Sequence, residues 1–172
     1  MKKNENLSKR NWILALPFLI VPLVALLMPE EHYAFGPLIL FVEANEKVFP
    51  FISGYARLSL FPEVTRLTFS ISMTLIAVLL PFFIYYQLQI QDFDKIKLAK
   101  GMRNWGWAIG SLAVIPFLMT GPVSGQSIRS LPIDLLICQS RLALGIYGAL
   151  LTLFEMVFLA FPIIWFKSVF RK

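Results

Sequence analysis

Four stretches of the chain run with almost no charge, and they set its organisation. Residues 11–29, 67–91 and 104–128 contain no Asp, Glu, Lys or Arg, and 142–166 contains only Glu155. A helix on the surface of a soluble core would show polar residues at a spacing of three to four, and these windows show almost none. A helix crossing about 30 Å of hydrocarbon needs about 20 largely apolar residues. The pattern predicts transmembrane helices at 12–28, 67–86, 105–119 and 142–166, the third having the shortest apolar core. The expected fold class is all-α: a polytopic membrane protein with four transmembrane helices in a single domain, 1–172. No internal repeat, low-complexity tract or interdomain linker interrupts it.

The connecting segments are unequal. In the longest, 29–66, Leu38, Phe41, Val42, Val48, Phe49 and Ile52 can share one helical face, with Glu43, Glu46 and Lys47 opposite. That pattern predicts an amphipathic helix lying in the outer interface or over the mouth of the bundle. In 120–141, turn-forming Gly121-Pro122 and Ser124-Gly125 precede the apolar stretch 131–138. The middle loop, 87–104, reads as a short basic turn.

Composition agrees with this reading. Of 172 residues, 58% are hydrophobic and 15% charged, against about 45–50% and about 25% in ordinary globular domains. That balance argues against a soluble enzyme and against a disordered tail. The net charge of +6 would suggest nucleic acid in a soluble protein, but its distribution points elsewhere. Lys2, Lys3, Lys9 and Arg10, then Lys95, Lys97, Lys100 and Arg103, then Lys167, Arg171 and Lys172 fall in three segments that four spans put on one side. These segments carry 11 basic and 3 acidic residues, the two other loops 5 and 6. Excess Lys and Arg mark the cytoplasmic side, so both termini are expected inside and no nucleic-acid partner is expected. Trp12, Tyr85, Tyr86, Trp105, Trp107 and Trp165 lie at the same ends of their spans, where amphipathic rings anchor in the interface. The first span follows a basic start as a signal peptide would, but no small-x-small site follows Met28. It is expected to be an uncleaved anchor.

Little chemistry is on offer. Cys138 and His32 are the only residues of their kind, so neither a disulfide within the chain nor a zinc site of the usual ligands is expected. Gly121-Pro-Val-Ser-Gly125 has the wrong spacing for a Gly-x-Ser-x-Gly elbow or for the Gly-x-Ser-Gly of rhomboid proteases. Glu30-Glu31 lacks the downstream Arg and His of membrane CAAX-type proteases, and His32 with Ser124 is at most a dyad on one side. No catalytic residue, cofactor or metal is expected.

Glu155 is the sharpest residue. A carboxylate mid-span must face the bundle interior, and it shares a helical face with Gly148 and Thr152. Two readings stand: a proton, cation or partner-helix site, or a structural glutamate bonded to hydroxyls such as Ser70, Ser72 and Thr74. Gly106 with Gly110, and Gly145 with Gly148, let helices approach closely, either within this bundle or to another protein or a second copy. Each span also contains proline (Pro17 and Pro22, Pro81, Pro116, Pro162), which tends to kink a helix.

Local sequence and layout together resemble one family. Glu46-Lys47-Val48-Phe49-Pro50-Phe51-Ile52-Ser53, then Pro62-Glu63-Val64-Thr65, is similar to a first outer loop leading into a second span. Phe161-Pro162-Ile163-Ile164 followed by Lys167, Arg171 and Lys172 is similar to a proline-containing last span with a basic tail. With four spans and both ends inside, the chain resembles the immunity proteins of pore-forming colicins, the group acting against colicins A and B. It departs from them at Thr120-Gly121-Pro122, where the family carries Thr-Ala-Gly. The resemblance implies a non-catalytic protein of the bacterial inner membrane that stops a toxin's pore domain during insertion. Arg57, Arg66, Arg129 and Arg141 would then be outer contacts, with Gly106, Gly110, Gly145 and Gly148 within the membrane. Lipid headgroups are the competing partner for each arginine. The alternatives are a small proton- or cation-coupled transporter using Glu155, working as a homo-oligomer, and an accessory subunit of a membrane complex.

Overall fold

The structure, a computed structural model, describes residues 2–30, 36–90 and 132–170. Six helices account for nearly all of them: α1 (Lys2–Leu27), α2 (Gly36–Val48), α3 (Phe51–Leu58), α4 (Pro62–Ile90), α5 (Pro132–Gln139) and α6 (Arg141–Phe170). No strand occurs among the described residues. Three helices are long and apolar enough to cross a membrane, over Glu5–Leu27, Pro62–Ile90 and Arg141–Ile164. These contain the second predicted span and all but the last one or two residues of the first and fourth. The predicted third span, 105–119, lies outside the described residues, as does most of the loop 87–104.

α1, α4 and α6 pack in all three pairings to form a bundle. Contacts at their ends give their directions. Arg10 Nη1 donates to Gln87 Oε1 at 3.2 Å, so the start of α1 meets the end of α4. At the opposite end Arg141 Nη1 donates to the Met28 carbonyl at 2.8 Å, so the start of α6 meets the end of α1. α1 is therefore antiparallel to both neighbours, and α4 and α6 run parallel. The Leu60 amide, just before α4, donates to the Cys138 carbonyl in α5 at 3.0 Å. The chain thus leaves α4 at one end of the bundle and resumes in α5 at the other, roughly 40 Å away along the helix.

Burial along α1 falls on Ile13, Pro17, Val21 and Ala25, one residue in four. That is a single ridge of a helix packed on its neighbours. The faces turned away stay apolar: Leu19, Leu23 and Leu27 on α1, Val78 and Phe82 on α4, Phe154 and Val157 on α6 are exposed. Such surfaces suit lipid and would be costly in water. Trp12 and Tyr85 are also exposed, both at the Arg10–Gln87 end, as interfacial anchors should be.

α1 extends beyond the apolar stretch to begin at Lys2, its first turns carrying a Glu5–Lys9 ion pair at 2.6 Å. One expectation is corrected. The segment 29–66 is not one amphipathic helix. α2 stops at Val48 and α3 starts at Phe51, because Pro50 has no amide to continue the ladder and disfavours helical geometry at the residue before it. The break splits the expected apolar face: Val42 and Ile52 are buried, but Val48 is exposed. Glu46, placed on the polar face, turns inward with a side chain only 15% exposed. The helices still pack over one end of α4, hereafter the mouth end. α4 opens with Pro62, whose missing amide costs nothing in a first turn.

Candidate functional site

α3 is fastened to the bundle by aromatic side chains. Phe69 of α4 is fully buried. Its ring meets Phe51 edge-on at 5.7 Å, Tyr55 at 5.2 Å and Tyr147 of α6 edge-on at 6.2 Å. One side chain therefore joins α3, α4 and α6. Such pairs each contribute about 0.5–1.5 kcal/mol beyond the area they bury.

The arginines of the mouth do different work. Arg66 of α4 holds Glu46 of α2 with two nitrogens: Nε donates to Oε1 at 2.6 Å, and Nη2 to Oε2. Its Nη1 also reaches Glu63 at 3.4 Å. A guanidinium fork on a half-buried carboxylate is a strong, directional tie. Arg141 donates to the Met28 carbonyl, reaches Glu30 at 3.4 Å and lies over the Phe61 ring at 5.6 Å. Arg66 and Arg141 thus already have partners within the chain and brace α2 and α1 against the bundle. Arg57 is exposed on α3. It stands on the rim of a groove of about 380 Å³ whose walls include Ser53, Ala56, Pro62 and Glu63. Arg129 lies outside the described residues.

A double-mutant cycle checks the Arg66–Glu46 clamp. Arg66→Gln and Glu46→Gln are each expected to lower stability by about 1–2 kcal/mol, between the values of exposed and buried pairs. The double variant should lose clearly less than the sum, read by thermal melting of the detergent-solubilised protein.

Within the bundle, Gly145 and Gly148 face the chain's own helices. A methyl on Gly145 would lie 2.7 Å from Pro22 Cα. On Gly148 it would lie 2.8 Å from Val21 Cγ1 and 3.0 Å from Ser72 Oγ. Of their two expected uses, these glycines serve packing inside the chain, and no room is left on those faces for a visiting helix. Gly106 and Gly110 lie outside the described residues. Helices α1, α4 and α6 continue through Pro17, Pro22, Pro81 and Pro162 without interruption.

Glu155 is only 3% exposed. Its Oε2 has no hydrogen-bond partner among the described residues. The expected hydroxyl partners do not meet it. Ser72 donates to the Thr68 carbonyl and Thr74 to the Ser70 carbonyl, both at 2.9 Å. The Ser70 hydroxyl is itself buried without a partner among the described residues. Sequence reading passed over Thr65 and Thr68, which lie on the same face of α4 as Ser72. Their spacing of three and four residues was the available signal. Among the described residues no group of three or more His, Cys, Asp or Glu is close enough to hold a metal ion.

No protein-family model, no curated protein and no solved structure matches this chain.

Proposed function

We propose that this chain is a four-span protein of a bacterial inner membrane, with both termini cytoplasmic, that binds and blocks the inserting pore domain of a bacteriocin. The observation that carries the reading is the parallel course of α4 and α6. That course supports a return across the membrane between them, for which the charge-free window at 105–119 offers the sequence. With four crossings the mouth end faces the periplasm, where such a toxin arrives.

The mouth suits recognition without chemistry. α2 and α3 are clamped into a platform by Phe69, Arg66 and Glu46, while Arg57 and its groove stay open to a visitor. Below it, the exposed apolar faces of α1, α4 and α6 contact lipid and offer lateral surface to a helical hairpin entering the membrane. The partners are therefore membrane lipids and a pore-forming toxin domain, with a second copy of the chain as a further occupant of the apolar faces. No nucleic acid is involved.

Protection is the test. Sensitive bacteria producing the protein should survive a pore-forming bacteriocin of the colicin A or B type at doses that kill cells carrying the empty vector. Arg57→Glu should cost about tenfold in protective dose at unchanged membrane levels, the effect of losing one favourable charge contact. If cells with the protein in their membrane resist none of these toxins, the reading fails.

A further inference from the structure

The interior of the three-helix bundle carries a line of polar groups. Among the described residues, Thr65, Thr68, Ser70, Ser72, Thr152 and Glu155 are the buried polar or charged side chains. All but Ser70 lie in order along the α4–α6 contact, where the Thr68 hydroxyl, like Glu155 Oε2, has no hydrogen-bond partner among the described residues. Thr65, Thr68 and Ser72 occupy positions i, i+3 and i+7 of α4, a single face. Ser72 Oγ donates to the Thr68 carbonyl and lies 3.4 Å from the Gly148 carbonyl on α6. Thr152 Oγ1 donates to the same Gly148 carbonyl at 2.8 Å. Glu155 follows Thr152 by three residues, one turn further along α6. The course passes from α4 to α6 at Gly148, where the missing side chain lets the Ser72 hydroxyl come close.

The two ends of this line differ. At the mouth end it begins among polar groups of the α3–α4 junction. The Thr65 hydroxyl is 2.8 Å from Ser59 Oγ, which in turn lies 3.5 Å from the Cys138 carbonyl. Toward the Arg10–Gln87 end the core continues as Ile13, Ile76, Leu79, Phe83, Met156 and Ala160, all apolar. The register places Glu155 at the start of that apolar half. Val21 faces Gly148, so on antiparallel α1 Pro17 stands level with Thr152, and Ile13 with Met156. Among the described residues no other charged side chain shares the level: 11–27 of α1, 67–90 of α4 and the rest of 142–166 carry none.

An ionised carboxylate without a partner in such a place is costly, whereas a carboxylic acid is a neutral group with a donor of its own. Hydroxyls both accept and donate, and they rotate. We propose that Glu155 is a proton-binding site that fills and empties from the mouth end, by way of Thr65, Thr68, Ser72 and Thr152, with the apolar half of the bundle closing it from the other end. The only bond made is the carboxyl O–H. Its proton comes from water at the mouth and returns there. A proton suits the site better than a metal cation, because one carboxylate with two hydroxyls already committed to main-chain carbonyls is a poor cation cage. The proposal does not depend on toxin recognition.

Infrared spectroscopy of the full chain in lipid bilayers tests it. The difference between wild type and Glu155→Gln at neutral pH should contain the carbonyl band of a protonated carboxylic acid, shifting when D2O replaces H2O. In Thr68→Val/Ser72→Ala the shift should come about tenfold more slowly, as for a transfer barrier raised by loss of a relay. Thr152→Ser, which keeps a hydroxyl, should exchange at the wild-type rate and shows that altered packing alone does not slow it. A carboxylate band in place of the acid band, or a band that responds to sodium, overturns the proton site. Exchange at the wild-type rate in Thr68→Val/Ser72→Ala overturns the route.

Discussion

Gly145→Leu is expected to leave little protein in its native fold. The reason lies at the α1–α6 crossing, where even a methyl on residue 145 would stand 2.7 Å from Pro22 Cα and 3.1 Å from Ala25 Cβ. The first of these is backbone inside a helix, so no rotamer change relieves the clash. α1 must move away from α6, and its contacts at Val21 and Ala25 go with it. Overpacking of this kind typically costs about 1–3 kcal/mol for the first added carbons, and more for a side chain with nowhere to go. Gly145→Ala should therefore lower the melting temperature by roughly 5–10 °C, and Gly145→Leu should elute as aggregate on size exclusion in detergent. Gly36→Ala is the control, since nothing among the described residues lies within 4 Å of the added methyl. A Gly145→Ala variant that melts with wild type would refute the close crossing of α1 and α6.

The second large effect falls on the platform. Phe69→Ala removes the ring that Phe51, Tyr55 and Tyr147 surround. Truncating a buried Phe costs about 3–5 kcal/mol through lost contacts and the cavity left behind. Here the loss should be local as well as global, because the same ring is the hub of the aromatic contacts joining α3 to the bundle. Proteolysis should cut the α2–α3 region of the variant in conditions where wild type resists, alongside a lower melting temperature. Phe82→Ala, at a position 56% exposed on the same helix, should change little. Equal protease resistance of Phe69→Ala and wild type would mean that α3 is held by other contacts.

Much of this architecture was legible from charge alone. Absence of Asp, Glu, Lys and Arg over 67–91 and 142–166 is a strong signal, because backbone groups in lipid must be satisfied within the helix and charged side chains are excluded. The described helices over these windows follow it. The limits of α1 were less legible: Lys2 to Arg10 continue the helix although they are polar, and hydropathy detects the apolar stretch rather than the helix. The platform was harder still. Leu38 to Ile52 has a helical apolar pattern, and nothing in that pattern reports that Pro50 ends it or that Glu46 turns inward to Arg66.

The candidate site divides in the same way. Glu155 stood out as a lone carboxylate in an apolar span, and its burial follows from the cost of exposing it to lipid. Its lack of a hydroxyl partner among the described residues was not foreseeable. Ser72 and Thr74 bond to carbonyls of their own helix, and which hydroxyl meets which carboxyl depends on how two helices are rotated and staggered. The arginines show the same limit. Arg57 and Arg66 lie nine residues apart in a loop of mixed charge, yet one is exposed on a groove and the other grips two glutamates.

By itself, then, the sequence determined that the chain is helical and lipid-compatible, and which stretches are apolar enough to span. These are properties of single segments, set by composition and by the periodicity of one helix. Only the tertiary structure decided that α4 runs parallel to α6, that Gly145 and Gly148 are filled by Pro22, Val21 and Ser72, and that the buried hydroxyls line up toward Glu155. Those outcomes depend on the register and rotation of helices distant in sequence, and short-range steric contact between their surfaces sets both.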